Sequence, residues 1–188
     1  MKVRVTKSYL DLARAVIDTK LCGKDREDDS SDAIFALMSC TYVYSYSALV
    51  SFCSEHLHQI WEEEGNPLKS KYPQCGTFEE LMAGPLKEIK SALKELSEQL
   101  DIEPLHKSKA NLWRELNELL KGYRDYFIHP NPQTFHEYIE NTGNLQWQFP
   151  SKVAAGIMSY FHEATNGHVP HWLENTSLKA KGFDIVDI

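Results

Sequence analysis

The string LLKGYRDYFIHPNP, residues 119–132, gathers the side chains of this chain best suited to work on a phosphate. Arg124 offers a permanent charge and a fork of N–H donors that matches phosphate oxygens. His129 titrates near neutrality and can give or take a proton. On a straight helix, positions five apart lie about 140° apart and about 7.5 Å along the axis, so they do not face each other. Pro130 changes this, because the residue before a proline is pushed out of the α region. Arg124 then falls in the last helical turn and His129 just beyond it, free to share one cleft. Such a pair suits phosphodiester chemistry without a metal. A base removes the proton of a ribose 2′-hydroxyl, the oxygen attacks the adjacent phosphorus, and Arg124 stabilises the charge growing on the phosphoryl oxygens. The products are a 2′,3′-cyclic phosphate and a free 5′-hydroxyl.

Arg followed by a polar residue, with His four to six positions later, is the mark of the HEPN superfamily. RDYFIH, with Arg124, Asp125 and His129, resembles it. So does its place at the end of an amphipathic helix late in a helical chain, with proline after the histidine. The match covers six residues as a motif and most of the chain as a helix order. The resemblance implies a metal-independent endoribonuclease, of the kind found among toxins and defence proteins, acting on RNA. Arg124 would bind the scissile phosphate, His129 would act as general base or acid, and Asp125 would orient one of them. It also implies a homodimer whose two motifs line one cleft, and it admits an antitoxin or another protein partner. Family members use a polar residue of an earlier long helix to hold the arginine; Glu55 or His56 occupies that place here. No cofactor is implied. A non-catalytic HEPN-like module that binds a nucleotide, RNA or a protein through the same cleft is the alternative.

Taken without the family pattern, the same residues have plainer roles. Arg124 and Asp125 then form a solvated helix edge, with an ion pair worth under about 1 kcal/mol. His129 becomes a C-cap residue that meets the last carbonyls of its helix.

The elements that must position these residues are helices, punctuated by Pro and Gly. A first helix is expected over about 6–22, with Leu10, Ala13, Val16 and Ile17 on one face. KDREDDSSD (24–32) is a charged loop whose end can cap the next helix. That second helix, about 32–64, is long and apolar, and its length favours helix over strand through TYVYSYS; it should be central and most buried. A loop is expected over 65–76. Thr77 with Glu80 then makes a capping box, Gly84-Pro85 breaks the chain, and a helix follows at about 86–100. DIEPLHKS is a connector. The fourth long helix, about 108–128, carries Leu112, Leu116, Leu119, Leu120, Tyr123 and Phe127 within roughly 100° of arc. An irregular stretch, 131–149, precedes a helix at about 151–165 and a last short turn. The expectation is an all-α, four- to five-helix up-and-down bundle, HEPN-like, with an irregular C-terminal segment. Residues 1–188 read as one domain, with about 177–188 as a tail.

Composition excludes several other classes. At 42% hydrophobic and 25% charged residues the chain is globular in type. A net charge of −7 gives no global basic field for nucleic acid, though it permits a local phosphate site. No apolar stretch is long enough to span a bilayer, and the start does not read as a secretory signal, so a cytoplasmic protein with no membrane association is expected. Cys22, Cys40, Cys53 and Cys75 lack paired spacing and read as reduced, structural cysteines. His56 and His58 are two apart on a helix and face different ways, a poor metal pair. His162, His168 and His171 meet no ligand spacing, so no metal site is expected. The Tyr42, Tyr44 and Tyr46 run reads as core, and Glu62–Glu64 as a solvated helix end.

Overall fold

In a computed structural model, which describes residues 5–22, 31–117 and 149–174, the protein is a multi-helix bundle with no strand among those residues. The described helices are α1 (Val5–Cys22), α2 (Ser31–Glu62), α3 (Pro67–Lys71), α4 (Phe78–Ala83), α5 (Ile89–Gln99), α6 (Leu105–Ser108), α7 (Ala110–Glu115), α8 (Phe149–Asn166) and α9 (His171–Glu174). None of them is long and apolar enough to cross a membrane.

The axis of the fold is α2, whose 32 residues span roughly 48 Å at the α-helical rise. Its buried residues (Tyr42, Tyr46, Leu49, Phe52, Cys53, Leu57 and Trp61 among them) occupy several faces rather than one narrow stripe. A helix apolar over so much of its circumference must be wrapped. Helix α1 lies along it most extensively, with α8 and α5 against other sides. On α1 the inward positions Thr6, Leu10, Ala13 and Arg14 recur at the three-to-four spacing of one helix face. The stretch 42–46 is helical, as its flanks required, with Tyr42 and Tyr46 buried and Tyr44 stacked on Tyr9 of α1. Cys53 and Cys75 are buried free thiols, and burial pushes the Cys53 thiol far above its ordinary value.

Between α2 and α5 the chain is more ordered than a loop over 65–76. Asn66 donates from Nδ2 to the carbonyl of Trp61, and its Oδ1 accepts from the amides of Leu68 (2.8 Å) and Lys69 (3.2 Å). One side chain thus finishes α2 and starts α3, with Pro67 at a position where its missing N–H costs nothing. Gly65, at φ +79°, makes the reversal between the two helices. The capping box at α4 forms as its spacing predicts: the Glu80 amide donates to Thr77 Oγ1, and the Thr77 amide to Glu80 Oε2. Gly84 ends α4; a Cβ there would lie 2.9 Å from the Glu80 carbonyl oxygen.

Helix α5 buries Ile89, Ala92, Leu93 and Leu96. It also buries a carboxylate, Glu95, only 4% exposed. Lys71 Nζ (2.9 Å), the Tyr72 hydroxyl (2.7 Å) and Gln99 Nε2 (2.8 Å) all donate to it. Burial pushes this carboxyl up, but the three hydrogen bonds and the Lys71 charge together outweigh burial and hold it below the usual carboxylate range. The Tyr72 hydroxyl, itself desolvated and bonded to that carboxylate, is pushed up to about 12.

The expected connector over DIEPLHKS contains the short helix α6, begun by Pro104, whose carbonyl accepts from Lys107 and Ser108. Lys109, at φ −131° and ψ 61°, leaves helical geometry, so the helix expected from 108 starts at Ala110. Leu116 is fully buried and Leu112 half-buried; residues 118–148 lie outside the described part. Helix α8 packs Gly156 on Leu112, with a hypothetical Cβ at 3.3 Å from its side chain.

The chain is closed by a buried cation. Arg14, 2% exposed, donates from Nη1 to the Trp172 carbonyl (2.7 Å) and from Nη2 to the Leu173 carbonyl (2.9 Å), with Asp11 at 3.8 Å. Replacing Arg14 by Met keeps much of the volume and leaves both carbonyls unmet. We expect a loss of about 2–4 kcal/mol in urea denaturation, with Arg14→Lys recovering only part of it. A loss below about 0.5 kcal/mol in the Met variant would show that the contact does not hold α9 in place.

Candidate functional site

Arg124, Asp125 and His129 lie outside the described residues, so the geometry that can be built starts from Glu55 and His56. These neighbours stand in the second half of α2, where exposed polar residues become frequent. Glu55 is exposed and His56 half-buried, and both line a cleft of about 200 Å³. Its other walls are Thr6 and Lys7 of α1, Phe52 and Gln59 of α2, His162 of α8 and Trp172 of α9.

The first turn of a helix has amides without partners. Glu55 supplies one, as Thr6 N–H donates to Glu55 Oε1 at 2.9 Å. A carboxylate at a helix N-terminus is also favoured by the helix dipole. Glu55 therefore caps α1 from α2 while its other oxygen remains available to the cleft. Lys7 pairs with Asp11 one turn along.

The ring of His56 meets Phe52 edge-on at 4.5 Å between centroids and faces His162 at 6.0 Å. His162 in turn contacts Phe52 at 5.7 Å and Trp172 at 6.4 Å, nearly perpendicular to the indole. Burial depresses the basicity of His56, and the charge of Glu55 opposes this without overcoming it. His56 is thus a neutral imidazole near neutral pH, with one donor and one acceptor nitrogen.

Two polar atoms in these walls stand out. Thr6 Oγ1, in a residue 3% exposed, and Trp172 Nε1 are buried and have no hydrogen-bond partner among the described residues. Native interiors leave few such groups unmet. No three His, Cys, Asp or Glu side chains converge as a metal would require among the described residues.

Of the residues singled out from sequence, the structure brings Glu55 and His56 to one cleft. His58 points elsewhere, exposed and edge-on to Phe78. Glu62, Glu63 and Glu64 form the solvated helix end expected. His162 separates from exposed His168 and His171 and joins His56 instead. Thr6, Gln59, His162 and Trp172 were not foreseen as site residues. Their only sequence signal is that polar residues interrupt the apolar faces of α1, α2 and α8, and pairing those faces requires the fold. The chain matches no protein-family model, no curated protein and no solved structure.

His56 makes stability depend on pH. Its folded pKa lies below the ordinary 6.5, so on acidification the unfolded chain gains a proton that the folded chain resists. The contribution is complete above about 6.5 and declines as pH falls through the depressed folded value. Urea midpoints measured from pH 7.5 down to about 5 should fall less steeply for His56→Leu than for the parent. Equal slopes would contradict the burial assigned to this imidazole.

Proposed function

We propose that the chain is an HEPN-like, metal-independent endoribonuclease. The reading is carried by the string RDYFIHP, with Arg124, Asp125 and His129, in an all-α chain. It gains support from α2, the long central helix, which presents polar Glu55 and His56 at a cleft where the bundle opens. Arg124 holds the non-bridging oxygens of the scissile phosphate. His129 of one protomer takes the 2′-hydroxyl proton, and the 2′-oxygen attacks phosphorus. The P–O5′ bond breaks, and the leaving oxygen takes a proton from His129 of the partner protomer, which is why two motifs in one homodimer cleft suit the reaction. Asp125 orients Arg124 or His129, and Glu55 or His56 supports the arginine from α2. As a toxin or defence protein it would be held in check by an antitoxin or another protein partner.

A second reading is a non-catalytic HEPN-like module that binds a nucleotide, RNA or a protein; the net charge of −7, which repels polyanions away from any local site, favours its protein-binding form.

The test is cleavage of a mixed RNA pool in EDTA. Wild type should leave 2′,3′-cyclic phosphate ends, and Arg124→Ala/His129→Ala should lose at least about 10²-fold in rate. Cleavage that survives the double substitution refutes the site. Retained RNA binding with no cleavage by the purified, partner-free wild type selects the binding module.

A further inference from the structure

Helix α1 turns two polar residues inward and its large apolar ones outward. Thr6 and Arg14 are buried, at 3% and 2% exposure, while Val5 and Leu12 stand 44% and 46% exposed. At about 100° per residue Val5, Leu12 and Val16 fall within about 40° of arc, flanked by Ser8 and half-buried Tyr9. On α2, Val43, Val50 and Ser54 repeat that spacing, with Ser47 beside them, and Val50 is 38% exposed. Val5, Leu12 and Val50 are the large apolar side chains that the described residues leave exposed.

The two stripes make one surface. Helix α1 lies along α2, and the stacked rings of Tyr9 and Tyr44, 6.4 Å apart, mark the seam. On α2 the stripe lies about half a turn round the helix from Phe52 and Gln59, and on α1 Val5 lies about 160° from Lys7. Both stripes therefore face away from the cleft. Charged residues make up 25% of the chain, yet residues 33–54 hold no Asp, Glu, Lys, Arg or His. A stripe of about 16 Å on two helices each about 10 Å across covers roughly 300 Å². An uncharged patch of that size is seldom without a use.

The chemistry of the face selects its occupant. In a two-fold pair the same patch meets itself, so a charge near the axis would face its like. Two copies of a chain with net charge −7 repel each other overall, and a neutral face is where they meet at least cost. A basic or acidic partner would find no charge here to pair with. Ser47, Ser51 and Ser54 are small, so two such helix pairs can approach closely and pack ridges into grooves.

We propose that the outer face of α1 and α2 is a self-association surface, on which a second copy of this chain packs about a two-fold axis. Its modest area suits a reversible, micromolar pairing rather than an obligate one. Because the face is turned from the cleft, the pairing leaves Glu55 and His56 open. It is separate from the motif-to-motif pairing of the ribonuclease reading and does not rest on it.

The experiment is sedimentation equilibrium of the full chain from about 1 to about 500 µM. The average mass of wild type should rise with concentration. Leu12→Glu/Val50→Glu changes exposed positions only, so its far-UV spectrum and urea midpoint should match wild type, while the dissociation constant of this pairing should rise at least about tenfold. Leu12→Lys/Val50→Lys should behave alike, and mixing the two variants should restore the pairing, since opposite charges then meet across the axis. The proposal is overturned if the Glu variant has the mass of wild type at every concentration, or if the mixture does not associate. RNA cleavage on the same samples keeps the two readings apart. Pairing without cleavage by wild type retains this face and removes the nuclease; cleavage by a wild type whose mass the substitutions leave unchanged does the reverse.

Discussion

The structure depends on a guanidinium with no access to water. Arg14 is as buried as the leucines around it, and a buried cation is tolerated only where its donors are met. Its fork finds two carbonyls of α9, which a helix of four residues cannot satisfy internally. Each side of this contact solves the other's problem: the cation gains acceptors, and the short helix gains the end it lacks. Consequently α9 is fixed against α1, and Trp172, whose carbonyl is one of the two, has its indole delivered to the cleft. Through its bond to the Trp172 carbonyl, Arg14 sets one wall of the cleft.

Two ways of burying polar atoms coexist in this bundle. Around Glu95 the donors of Lys71, Tyr72 and Gln99 converge, and Lys71 also reaches Glu98 at 2.7 Å. That network ties the end of α3 to α5 and gives the bundle one rigid flank. At the cleft the arrangement is the opposite. Thr6 Oγ1 and Trp172 Nε1 lie buried and unmet among the described residues, beside a carboxylate with an oxygen to spare. The described residues thus satisfy the Glu95 carboxylate fully while leaving other buried polar atoms, two of them in cleft-lining residues, without a partner.

Much of the architecture was legible in the residues. The length and apolar breadth of α2, the Thr77–Glu80 box and the break at Gly84-Pro85 follow from local rules that the structure obeys, and of the face read on α1 Leu10 and Ala13 are buried and Val16 half-buried. The two short helices α3 and α6 were not legible. Each is started by a proline in a stretch that reads as loop, and in α3 the deciding bonds come from a single Asn66 side chain. The break at Lys109 has no local signal either, since lysine is a good helix former. For the site, Glu55 and His56 could be placed by their position on the long helix. His162 and Trp172 could not, because what brings them to His56 is the pairing of α2 with α8 and the anchoring of α9 by Arg14, contacts that no periodicity encodes. The Arg124, Asp125 and His129 string remains a reading of sequence.

The cleft draws on residues from both ends of the described chain. Thr6 and Trp172 share it, and the bond that anchors the latter joins positions 158 residues apart. During synthesis the chain emerges from its N-terminus at about 5–20 residues per second. Helices α1 and α2 can therefore pair while α9 is still inside the ribosomal tunnel, and the nascent bundle has a groove with one wall missing. Until Trp172 has emerged the cleft lacks that wall, so whatever it binds must wait for the last of the described helices.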